Sequence, residues 1–65
     1  MLTDHQVYRN GWHMIKTHGT EAHRESLRIA AGLAEQGEKA ESEMWSRVAS
    51  AVEEIARSIP GMALH

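Results

Sequence analysis

The sequence has no cysteine, no phenylalanine, a single proline and no excess of one charge. Without cysteine there is no disulfide to staple a short chain, no thiolate nucleophile and no thiolate ligand for a metal. Seven basic against nine acidic residues leave a net charge of −2. That balance builds no field for nucleic acid or an anionic membrane surface. No apolar run approaches a membrane span, and no basic segment leading into an apolar stretch opens the chain. The expectation is an intracellular, cytoplasmic protein of bacterial style, with neither signal peptide nor membrane anchor.

Apolar bulk is scarce too. Valine, isoleucine and leucine together number eleven, beside nine alanines. At 65 residues, a chain buries only ~60% of the surface exposed on unfolding. Alanine adds little area per residue. Yet the apolar residues are periodic and the net charge is low, which separates this chain from a disordered one. The reading is one small folded domain whose core calls for help, and burial against a second copy or a partner is the remaining device.

Gly19, Gly37 and Pro60 punctuate the chain, and the spacing predicts helices over about 4–18, 21–35 and 39–59 with a frayed tail at 60–65. Thr3 and Gln6 have the spacing of a capping box, and Thr20 stands where it could cap the second helix. Gly19 and Gly37 occupy the position that takes left-handed backbone after a helix, and Pro60-Gly61 stops the third. Val7, Tyr8, Gly11, Met14, Ile15 and His18 share one side of helix 1, with Trp12 at its edge. Ala22, Ser26, Ile29, Ala30 and Leu33 share one side of helix 2. Helix 3 carries the widest stripe, from Met44 and Trp45 through Val48, Ala51, Val52 and Ile55 to Ile59. Oppositely charged neighbours support the outer faces at Glu21–Arg24, Glu25–Arg28, Glu43–Arg47 and Glu53–Arg57. The expected fold is all-α: a three-helix antiparallel hairpin or bundle in which a third helix of ~30 Å overhangs two of ~22 Å.

Five histidines invite a metal or pH-sensitive site. His5, His13 and His65 read as solvated. His18 and His23 fall within the apolar arcs on either side of Gly19-Thr20, so they are the candidate pair. No His-x-x-x-His and no Glu-x-x-His is present, so the plainer reading is two partly buried imidazoles bonded to helix ends. Glu41 lies on the axis of the helix 3 stripe. A carboxyl there could act as an acid or base, but a first-turn glutamate near free N–H groups needs no special explanation.

No glycine-rich phosphate loop and no Gly-x-Ser-x-Gly elbow occurs, and the expectation is no enzymatic activity and no cofactor. A recognition helix fits poorly, because Arg24, Arg28 and Lys16 are interleaved with Glu21, Glu25 and Glu35. The leading expectation is a helical protein-interaction module, homodimeric, with Trp12, Met14, Met44, Trp45, Val48, Val52, Ile55 and Ile59 at its interface. Two alternatives stand beside it. One is a regulatory accessory that touches a protein or DNA through Arg24 and Arg28. The other is a metal or ligand site at His18 and His23.

From Ile15 to Ile55 the chain resembles a family of short, uncharacterised proteobacterial helical proteins. The matching features are Met14-Ile15-Lys16 before His18-Gly19, an alanine-rich helix ending at Gly37, Trp45-x-Arg47-Val48, and Ala51-Val52-Glu53-Glu54-Ile55. The resemblance implies a small cytoplasmic helical protein and no mechanism. It departs from the family around Glu41 and Ser42.

Overall fold

The computed structural model describes residues 4–59, all of whose regular structure is helical. Helix α1 spans Asp4–His18, a 3₁₀ turn spans Gly19–Glu21, α2 spans Ala22–Glu35 and α3 spans Lys39–Ser58. The Thr3 capping box, the Pro60-Gly61 stop and the tail with His65 lie outside the described residues.

Both glycine stops adopt left-handed backbone, with φ of 59° at Gly19 and 81° at Gly37. They act differently. After Gly37 the chain leaves the helix: the Glu38 N–H donates to the Leu33 carbonyl at 2.9 Å and the Gly37 N–H to Ala34 at 3.1 Å. This double return satisfies carbonyls that the helix end leaves free. After Gly19 no coil residue follows, and the 3₁₀ turn runs straight into α2. Two helical stretches result, 4–35 and 39–58, in place of three separately connected rods. Thr20 lies inside that turn, and Glu21 precedes α2 without a side-chain cap. The described residues extend 37 Å along their longest axis, less than the ~48 Å residues 4–35 would span as one straight helix. The left-handed Gly19 supplies the bend.

The antiparallel hairpin forms between α2 and α3. At its closed end the Ser42 hydroxyl donates to the Ala30 carbonyl at 2.8 Å. At its open end His23 Nε2 stands 3.3 Å from a Glu53 carboxylate oxygen. Ala22, Ser26 and Ala30, four apart on one face of α2, are buried along this contact and let the helices approach closely. The Ser26 hydroxyl returns to the Ala22 carbonyl at 2.8 Å, so its burial leaves no polar group unpaired.

Helix α1 crosses α3 elsewhere. A Cβ built on Gly11 would lie 3.2 Å from Ile55 Cδ1, 3.4 Å from the Ala51 Cβ and 3.6 Å from the Val52 nitrogen. Only a residue without a side chain permits that approach undisturbed. Val7 and Met14 flank Gly11, and they form the core with Ala22, Val48, Ala51 and Val52. The third helix was expected to overhang the first two, and it does not. Helix α1 lies across the end of α3 that length arithmetic left bare, meeting it at Ala51, Val52 and Ile55.

Candidate interaction surface

Coverage of α3 is uneven, and the surface follows from that. From Val48 to Ala56 it buries Val48, Ala49, Ala51, Val52, Ile55 and Ala56 beneath α1 and α2. From Lys39 to Arg47 it buries no residue fully. Met44 and Trp45 there are half-buried, as are Ile29 and Leu33 on α2. Ile29, Met44 and Trp45, together with Ile15 of α1, pack against the core and stay partly exposed. A corner of four large apolar side chains is therefore only partly covered.

Three further apolar side chains stand out from the surface: Trp12 at 48% exposure, Leu27 at 45% and Tyr8 at 40%. Trp12 and Tyr8 are one turn apart on the flank of α1 beside its buried Val7, Gly11 and Met14. Exposed tryptophan is unusual enough to mark contact surface, since large apolar patches on small proteins tend to be functional.

Of the residues expected at an interface, Met14, Val48, Val52 and Ile55 are buried within the single chain. Their burial has a physical reason: α1 and α2 approach α3 from two flanks, and together they close over its central stripe. Trp12 is exposed, while Met44, Trp45 and Ile59 are half-buried. Ile29 and Leu33 belong to the same corner. Their helical spacing was a legible signal, but it reads as core when α1 is assumed to lie beside α2.

The polar groups hold the arms in place. The Tyr8 hydroxyl donates to Glu54, joining α1 to α3 across the edge of the core. That hydrogen bond, with partial burial and the negative charges of Glu54 and Asp4, raises the Tyr8 pKa above its ordinary value. Open grooves lie on either side of the pair, one reaching Arg57 and Ser58 and the other Arg47 and Ser50. Glu53 receives both Arg57 and His23. Sequence reading did not pair Tyr8 with Glu54, because 46 positions separate them and no local pattern joins them.

His18 is exposed at the end of α1, beyond the stretch that α3 covers. His23 is half-buried and paired with Glu53. Among the described residues no three His, Cys, Asp or Glu side chains are grouped to hold a metal ion. Arg24 and Arg28 point outward, but each is matched, Arg24 to Glu21 at 3.3 Å and Arg28 to Glu25 at 2.7 Å. The hydrogen bond from Arg28 pulls the Glu25 carboxyl below its ordinary pKa, and Glu25 raises that of Arg28. Glu41 is exposed in the first turn of α3. Among the described residues no helix is long and apolar enough to cross a membrane. No protein-family model, no curated protein and no solved structure matches the chain.

Proposed function

We propose that this protein is a non-enzymatic helical interaction module that works as a homodimer in the cytoplasm, its helices making up one half of a larger helical bundle. The observation that carries the reading is the corner of Ile29, Leu33, Met44 and Trp45, apolar and only partly covered. A core made largely of alanine and valine supplies little burial for a chain of this size. Covering that corner would add large side chains to it, and Trp and Met are residue types that interfaces favour.

Light scattering on the eluting protein across a range of concentrations tests this. The expected mass is twice that of one chain, with a fall toward one on dilution and a shift in tryptophan emission. A single-chain mass at every concentration, with unchanged emission, contradicts it.

A further inference from the structure

Helix α1 carries two apolar stripes, and the folded chain buries one of them fully and only Ile15 of the other in part. Val7, Gly11 and Met14 face α3. The second stripe, one position on, is Tyr8, Trp12 and Ile15, at steps of four and three. Gly19 follows four later, and Ala22, Ser26, Ile29 and Leu33 continue at three, four, three and four. The alternation runs through the bend without a change of phase. Were residues 4–35 one helix, these positions would form a single seam of the kind along which helices pair. In the bent chain that seam is broken, and its α1 half is left with Trp12 and Tyr8 facing water.

We infer that a second copy of this chain is engaged by opening at Gly19, so that residues 4–35 become one helix and α1 leaves its own α3 for the uncovered corner of the other copy. This rests on the association of two copies proposed above and says how it occurs. The seam is symmetric under antiparallel pairing. Set about a point between Thr20 and Glu21, it brings Trp12 of one copy opposite Ile29 of the other and Tyr8 opposite Leu33. The half-buried corner thus receives the exposed aromatic flank. Lys16 of one copy comes opposite Glu25 of the other, a flanking pair of opposite sign. With each α3 still paired to its own α2, the product is a four-helix bundle, a common way to complete two helical hairpins.

Gly19 suits a hinge because it is the one left-handed residue in the 3₁₀ turn between α1 and α2, and a Cβ there meets nothing within 4 Å. Alanine at that position disfavours the bent chain without a steric clash and favours the continuous helix.

Two variants test the inference by light scattering. Gly19→Ala is expected to tighten the dimer by at least about tenfold, since both chains lose the left-handed residue. Gly11→Cys with Ala51→Cys places two Cβ atoms 3.4 Å apart in the bent chain, close to disulfide spacing. Oxidised, this chain is locked closed and is expected to be monomeric; reduced, it is expected to dimerise as the natural chain does. If the locked chain dimerises as well as the reduced one, association stands but opening is overturned. If the natural chain is monomeric, the homodimer reading fails and the inference with it. A monomeric Gly19→Ala beside a dimeric natural chain overturns the opening and leaves the association.

Discussion

The two halves of α3 differ in composition and end in different environments. Between Val48 and Ala56, small and branched side chains disappear beneath two helices that come from different flanks. Between Lys39 and Arg47, the larger Met44 and Trp45 remain half in water. Side-chain size does not decide burial here. What decides it is where α1 goes, and that is set by a left-handed glycine and by a second glycine at the crossing. The well-covered half holds the chain together, and the other half is free to meet something else.

Substitutions separate these roles most sharply in the covered half. Ile55→Ala removes a buried side chain at the α1–α3 contact and is expected to cost about 2–5 kcal/mol, enough to unfold much of a domain this small. Met44→Ala is expected to cost clearly less in the monomer, because half of that side chain is already hydrated. Urea unfolding of the two variants side by side measures the difference. Equal losses would mean that the halves are equally buried in solution.

Next in size is the crossing itself. Gly11→Leu forces a side chain against Ile55, Ala51 and the α3 backbone and is expected to cost about 1–3 kcal/mol or more. Gly11→Ala should be close to neutral, as the gain in helix propensity offsets a contact that the flexible end of Ile55 can relieve. Smaller still, Gly37→Ala should cost about 1–2 kcal/mol by placing a side chain on left-handed backbone. Gly32→Ala should stabilise by about 0.5–1 kcal/mol, since Gly32 is inside α2 with open space around it. Thermal unfolding ranks the four.

The smallest effect is expected at the exposed Tyr8–Glu54 pair, and its signature is pH. The raised pKa means that the pair's contribution is complete below the ordinary tyrosine pKa and is lost as pH rises through the folded one. Tyr8 is the only tyrosine in the chain, so its ultraviolet titration is read without interference. Ionisation is expected at higher pH than for a free tyrosine, and Glu54→Gln should bring it down. A natural chain that titrates like free tyrosine would show that the bond does not hold α1 in solution.

Much of this fold is readable along the chain. Helix bounds follow from Gly19, Gly37 and the apolar spacing, and the Glu21–Arg24, Glu25–Arg28 and Glu53–Arg57 pairs form as their spacing predicts. The connection between α1 and α2 is not readable in the same way, because one left-handed glycine can either release the chain into a loop or bend it. Gly37 does the first and Gly19 the second. The docking face of α1 is hidden for another reason. Val7, Gly11 and Met14 lie within one broad arc with Tyr8, Trp12 and Ile15, and a helical wheel does not rank the two stripes. Only the close approach at Gly11, a long-range fact, separates them. The uncovered corner is hidden with it, since Ile29, Leu33, Met44 and Trp45 look like core until α1 is seen to lie elsewhere.

The direct test of the account is the dependence of unfolding temperature on protein concentration, for the natural chain and for Met44→Glu. Association with a second copy stabilises the folded state by mass action. The unfolding temperature of the natural chain is therefore expected to rise with concentration. That of Met44→Glu should stay flat, near the natural chain's dilute value. A natural chain whose unfolding temperature is the same at every concentration would contradict the claim that the bare half of α3 is half of an interface between copies.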